Sequence, residues 1–197
     1  MCPVVVAVVT PGMMAVSMTA HAFDWYGGLS AGQARHEVTG GDLVGPGFTG
    51  TVDGNDTGWK VFVGMALWDK YVGAEFGYAN LGEATAKGRV SGSSATATSE
   101  AKAYTAAFVG LIPVGDQFGV ILKLGLDGTR TTLTTSGSGA QPSGHTADTK
   151  IFGGFGFQYD FSKSMGLRLE AERFNMGSIG SPYVNLVTAG LVYRLGK

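Results

Sequence analysis

The stretch Phe118-Gly119-Val120-Ile121-Leu122-Lys123-Leu124-Gly125-Leu126-Asp127 decides the fold. Phe118, Val120, Leu122, Leu124 and Leu126 fall on one side of an extended chain, and Gly119, Lys123, Gly125 and Asp127 on the other. A period of two marks a strand whose faces meet unlike surroundings. The same pattern sets Trp59, Val61, Val63, Met65 and Leu67 against Lys60, Gly64 and Ala66. It sets Val72, Ala74, Phe76 and Tyr78 against Gly73, Glu75 and Gly77, and Leu167, Leu169 and Ala171 against Arg168, Glu170 and Glu172. Working outward, the alternation predicts eight strands over residues 24–35, 56–68, 70–81, 100–112, 117–128, 148–161, 164–176 and 183–195. In the first and fourth, Gly and Ala occupy both faces.

Connection lengths arrange these strands. The links at Asp69, at Pro113–Asp116 and at Ser162–Lys163 are short, whereas 36–55, 82–99 and 129–147 are long, and 177–182 is intermediate. Long and short links alternate, so the long ones gather at one end. This is the order of an antiparallel up-and-down barrel with an even strand number. Composition agrees: of 197 residues 33 are Gly, and only 15% are charged, against about 25% in an ordinary soluble domain. The formal net charge of −1 offers no basic surface for nucleic acid. Beyond the N-terminus no uninterrupted apolar run is long enough for a membrane-spanning helix.

Residues 1–22 hold no Asp, Glu, Lys or Arg, run through Val4-Val5-Val6-Ala7-Val8-Val9 and close on Ala20-His21-Ala22. This reads as a secretory signal peptide cut before Phe23, leaving a barrel domain over 23–197 with no cysteine. A secreted chain with apolar strand faces satisfies its backbone in lipid only by closing the sheet. The fold class is therefore all-β, an eight-stranded antiparallel transmembrane β-barrel. The aromatics fit two interface girdles. Trp25, Tyr26, Trp68, Tyr71, Phe118, Tyr159, Phe161 and Tyr193 fall at the short-turn end, and Trp59, Tyr78, Tyr104, Phe174 and Tyr183 near the long-loop end.

The opening Trp25-Tyr26-Gly27-Gly28, the strand Tyr71-Val72-Gly73-Ala74-Glu75-Phe76-Gly77-Tyr78 and the final Thr188-Ala189-Gly190-Leu191-Val192-Tyr193-Arg194-Leu195 resemble the OmpA-like and opacity-type eight-stranded outer-membrane barrels. The resemblance spans 24–195. It implies residence in the outer membrane of a Gram-negative bacterium, among outer-membrane lipids and lipopolysaccharide. It also implies recognition by the barrel-assembly machinery through Gly190, Tyr193 and Leu195. The family ends on a terminal Phe, whereas here Gly196-Lys197 follow Leu195.

Strand parity turns Lys60, Glu75, Lys102, Lys123, Arg168, Glu170, Glu172 and Arg194 inward. Charges in a narrow lumen must pair, so these residues are expected to form a structural ion network, Glu75 with Lys123 or Arg168. A narrow gated pore for ions or small solutes is the alternative reading. A lipid A-modifying enzyme is a further one, since His145 has Ser143 and Asp148 near it and His36 has Glu37; such neighbours are common in Ser-rich loops. A soluble barrel around an apolar ligand would need the opposite polarity. No cofactor and no metal is expected, because the two remaining histidines lack ligand spacing. The Ser/Thr/Gly-rich loops read as solvated surface for host or phage ligands, and Arg173 as a contact to lipopolysaccharide phosphate. The expected protein is a monomer with a structural, membrane-integrity and surface-contact role and no catalysis.

Overall fold

The structure, a computed structural model, describes residues 24–68, 71–137, 140, 142–177 and 182–195. The expected signal peptide lies outside the described residues, as does the side chain of Trp68. The strands are β1 (Trp25–Glu37), β2 (Phe48–Asp53), β3 (Asn55–Trp68), β4 (Val72–Val90), β5 (Ser93–Val114), β6 (Phe118–Gly137), β7 (Gly144–Asp160), β8 (Met165–Asn175) and β9 (Tyr183–Leu195), with one helical turn, α1 (Gly40–Leu43). Antiparallel pairing runs β1–β3–β4–β5–β6–β7–β8–β9 and returns to β1, so eight strands close a ring. The outward residues are the oily ones: Leu29 is 62% exposed, Phe108 66%, Leu124 65% and Ile151 67%, while Lys123, Arg168, Glu170 and Glu172 are buried. That polarity rules against a water-soluble barrel and is what hydrocarbon requires.

The expected long loops are largely strand. A tilted strand crosses a bilayer in about 9–11 residues, yet β4 has 19 residues, β5 22 and β6 20. Segment 82–99 is a continuous hairpin closed at Ser91-Gly92, both with positive φ (50° and 85°). Two such residues form the turn whose twist matches the flanking strands. Much of 129–147 extends β6 and β7, which pair from Leu133↔Gly144 downward. Composition suggested loop here because Ser, Thr and Gly dominate; alternation of Ala84, Ala86, Ala95 and Ala97 with threonines keeps the strand period.

A bulge re-aims this extension. Asn80 pairs with Lys102 and Glu83 with Glu100, so β4 carries one extra residue. Gly82 (φ 72°) takes the bend, its N–H donating to Asn80 Oδ1 at 2.9 Å, while Glu83 N–H donates to Asp56 Oδ2 at 2.8 Å. One added residue exchanges the faces: Glu75, Gly77 and Ala79 face inward below it, Ala84, Ala86 and Val90 above it. Segment 36–55 holds α1 and β2. Thr39 and Asp42 cap α1 reciprocally, satisfying backbone donors that a helix start leaves open. Leu43 and Val44 then bury against Ala84, Ala86, Val90, Ala95, Ala97 and Leu133, and β2 pairs along β4.

Candidate functional site

The lumen is filled in layers. At mid-height Lys60 of β3, Glu75 of β4, Lys123 of β6 and Arg168, Glu170 and Glu172 of β8 converge, every one at most 6% exposed. Lys60 Nζ lies 2.7 Å from Glu170 and 2.5 Å from Glu172. Lys123 Nζ binds Glu75 and lies 2.6 Å from Glu170 and 3.2 Å from Glu172. Arg168 Nη1 donates to Glu75 Oε2 at 2.8 Å, and its Nε and Nη2 donate to Gln158 Oε1. Three cations face three carboxylates, so the layer is neutral as a set, the condition under which buried charge is tolerated. Phe62 stands among them, its ring centroid 5.6 Å from Lys60, 5.3 Å from Lys123 and 4.8 Å from Arg168, a position that draws on the negative face of the ring.

Glycines make room for these long side chains. A Cβ on Gly154 would lie 2.7 Å from Glu172, and one on Gly156 2.8 Å from Glu170. A Cβ on Gly64 would run into the Tyr26 ring. Tyr26 is therefore a lumen residue, its hydroxyl donating to Glu75 at 3.3 Å, and the expectation that it sits at the membrane interface is corrected. It alternates with Trp25, which is the outward residue of that pair (41% exposed).

Two of the charges expected in the lumen layer lie elsewhere. Lys102 points outward and pairs with Glu100 at 2.6 Å, both side chains well exposed. Its strand has alanines on both faces, and the ring takes Ala101, Ala103 and Ala107 inside, leaving Tyr104 and Phe108 for lipid. Arg194 is inward but lies at the short-turn mouth with Asp160, 2.6 Å away. Gln158 Nε2 donates to that same Asp160 at 2.9 Å, joining mouth and layer through one amide. The mouth opens into a cavity of about 700 Å³, with Tyr26, Gln158 and Arg168 at its inner end and Arg194, Asp160 and Lys163 among its lining.

Above the ions lies an apolar layer: Leu81, Phe152, Phe174, Met176, Val184 and Leu186, packed with Ala34, Ala79, Ala101 and Ala103. Phe152 and Phe174 stack with centroids 5.2 Å apart and planes 4° from parallel. Phe174 thus seals the lumen and is not part of the upper girdle. Parity between Arg173 and Asn175 carried that signal.

Of the other aromatics, Trp25, Trp59, Tyr71, Tyr183 and Tyr193 are exposed on the outer wall. Tyr78 packs between Trp59 (5.5 Å) and Tyr104 (5.2 Å), and Tyr159 packs on Phe118 at 4.7 Å. Gly190 lies tight against Leu29 and Ser30, while Tyr193 and Leu195 point outward, 51% and 54% exposed. Arg173 is already gripped by Glu37, at 3.1 and 2.9 Å, and lies 4.2 Å from the Tyr183 ring.

His36 is buried above the upper girdle, its Nε2 2.9 Å from the Leu81 carbonyl and its Nδ1 without a partner among the described residues. His145 Nδ1 contacts Thr132, and Ser143 bonds Thr135. Among the described residues no three His, Cys, Asp or Glu gather as a metal site. Burial lowers the His36 pKa from 6.5, outweighing the Leu81 carbonyl and Asp56. The folded state therefore binds fewer protons than the unfolded one below pH about 6.5, and stability falls as pH drops through that window. Protection of backbone amides at the upper ends of β1 and β4, corrected for the intrinsic pH dependence of exchange, is expected to fall between pH 7 and pH 5, and a His36→Leu protein to lose that dependence. Equal pH dependence in both proteins would contradict it.

The family profile described as outer membrane protein beta-barrel domain matches residues 5–194. This chain belongs to that family. No curated protein matches its sequence. Among solved structures it is similar to OprG of Pseudomonas aeruginosa, at 13% identity, TM-score 0.57, with 89% of this chain and 96% of that one covered. It is similar to Ail, the attachment invasion locus protein of Yersinia pestis, in complex with the heparin analogue sucrose octasulfate, at 14% identity, TM-score 0.55, covering 88% and 99%. Neisserial surface protein A aligns at 12% identity, TM-score 0.51, covering 87% and 97%. The likeness is one of fold. As a member of the family, the chain is an outer-membrane β-barrel protein.

Proposed function

We propose that this barrel is a closed, non-catalytic and monomeric membrane scaffold that supports outer-membrane integrity and carries a paired hairpin wall for surface contact. The observation that carries the reading is the pair of stacked seals. An ion crossing the lumen must pass both a neutral, fully engaged charge layer and an apolar layer of Leu81, Phe152, Phe174 and Leu186, each of which opposes a hydrated ion. The surface-contact half draws support from the outer face of β4. There Lys87 and Arg89 occupy successive outward positions beside Thr51 and Thr49, exposed and without a carboxylate partner among the described residues. A polyanionic ligand, such as the one bound by Ail, suits such a face. Gly190, Tyr193 and Leu195 are proposed as the signal read by the assembly machinery, the latter two displayed on the outer wall.

Planar-bilayer recording tests the scaffold reading. The refolded protein is expected to give no discrete openings at moderate voltage, in low or high salt. Reproducible steps would favour the narrow gated pore and overturn the closed scaffold.

A further inference from the structure

We infer that Asp127 of β6 and Asp148 of β7 bind a calcium ion inside the long-loop end of the barrel. Asp127 is 0% exposed, yet neither of its carboxylate oxygens has a partner among the described residues. Backbone N–H groups of Lys150 and Asn175 lie near it but are not aligned to bond it. Asp148 Oδ2 is likewise buried and unpartnered. Asp148 stands opposite Thr129, the next inward residue of β6 after Asp127. The two carboxylates are therefore diagonal neighbours on one face, about 7 Å apart at the backbone. Apolar packing closes the space on both sides, Phe152 and Phe174 below it and Ala97 and Leu133 above it. A Cβ on Gly177 (φ 76°) would run into Asp148 Oδ2, so the end of β8 covers the site with bare backbone.

A charge taken out of water must be paired, neutralised or coordinated to a metal. The layer at mid-height meets that condition with three cations for three carboxylates. Here two carboxylates have no cation: Lys150 is inward and directly opposite Asp127, but it does not bond the carboxylate. Donor chemistry chooses the ion. Both Oδ atoms of Asp127, Asp148 Oδ2 and the lone pairs of Thr129 Oγ1 are hard oxygens, the Thr129 proton going to the Asp148 carbonyl at 3.3 Å. Calcium accepts a carboxylate through both oxygens and fills a pliant shell of about 6–8 oxygens with water, whereas magnesium demands a strict octahedron. Two carboxylates match its charge. Histidine spacing, on which the expectation of no metal rested, does not report an all-oxygen site. Bound there, calcium braces the foot of the β6–β7 extension, where pairing of β7 with β8 has stopped at Gly153 opposite Arg173.

The test uses the full barrel refolded in detergent, stripped with chelator and titrated by calorimetry with calcium chloride and, separately, magnesium chloride. Wild type is expected to bind one calcium per barrel and to keep its compact gel band to higher temperature with it. Asp127→Asn and Asp148→Asn should each weaken binding at least about tenfold, because affinity at such sites follows ligand charge. In chelator Asp127→Asn should outlast wild type, since it removes a buried charge that has no partner. That crossing separates loss of the site from loss of the fold. Asp116→Asn, at the opposite mouth, should bind as wild type does, and Lys150→Met at least as tightly. Calcium binding that survives in Asp127→Asn overturns the site. So does a wild type that ignores calcium, whether it matches Asp127→Asn in chelator, with Asp127 protonated, or unfolds there only as Lys150→Met, with Lys150 the counter-ion. Equal binding of magnesium overturns calcium as the ion. Bilayer recording reads the closed lumen separately, so failure of the site is distinguishable from failure of the scaffold reading.

Discussion

Lys123→Met is expected to destabilise the barrel by about 3–5 kcal/mol, the usual consequence of removing one partner from a buried ionic set. Lys123 is the only residue of the described layer in contact with all three carboxylates, and its side chain is 2% exposed. Without it, Glu75, Glu170 and Glu172 share Lys60 and Arg168, leaving one negative charge in a space closed to water. Urea unfolding in detergent, read as loss of the compact band on unheated gels, should show a lower midpoint with unchanged slope. Adding Glu75→Gln to Lys123→Met restores two cations against two carboxylates, so the double variant should recover part of the loss, and the coupling energy follows from the cycle. A single variant with the wild-type midpoint would show that the layer contributes nothing to stability.

Phe174→Ala is expected to cost a similar amount, about 3–5 kcal/mol, through lost transfer energy and the cavity left behind. Phe174 is 1% exposed, and its stack with Phe152 forms the centre of the apolar layer. Neighbours drawn from β1, β4, β5, β7 and β9, Leu81, Phe152, Val184 and Leu186 among them, are fixed by ring closure and cannot collapse far into the void. The midpoint should therefore fall, and water should reach the charge layer from above, visible as faster exchange of lumen-facing amides. Phe174→Leu, which keeps most of the volume, should recover most of the stability. If alanine and leucine behave alike, the layer is not packed as the structure has it.

How much of this was legible in the sequence depends on side-chain contrast. Where bulky aliphatics alternate with Lys, Glu or Gly, as in 118–127 and 167–172, the two faces separate at once, and Lys60, Glu75, Lys123, Arg168, Glu170 and Glu172 take their shared side from that contrast alone. Where contrast fails, parity fails: Ala101, Ala103, Ala106 and Ala107 fit either face, so alternation turns Lys102 inward where the structure turns it outward. Aromatic character alone assigns Tyr26 and Phe174 to the interface, but the lumen admits a ring where a glycine such as Gly64 stands opposite Tyr26. Phe62 enters the lumen in the same way, opposite Gly28. The bulge at Gly82 cannot be counted from a one-strand pattern, because it exists only in the pairing of β4 with β5. The strand extensions were hidden by composition, since Thr and Ser serve a solvated strand as well as a turn.

The wall formed by β4 through β7 rises well past the shorter β8, β9 and β1. The molecule accordingly has a tall side and a low side, like a chair whose back stands over one edge of the seat. A large particle approaching from the low side can come close to the bilayer, while one arriving from the other must stop at hydroxyl-rich sheet. In a crowded envelope, which neighbours can touch this protein is set by the direction of approach as much as by affinity.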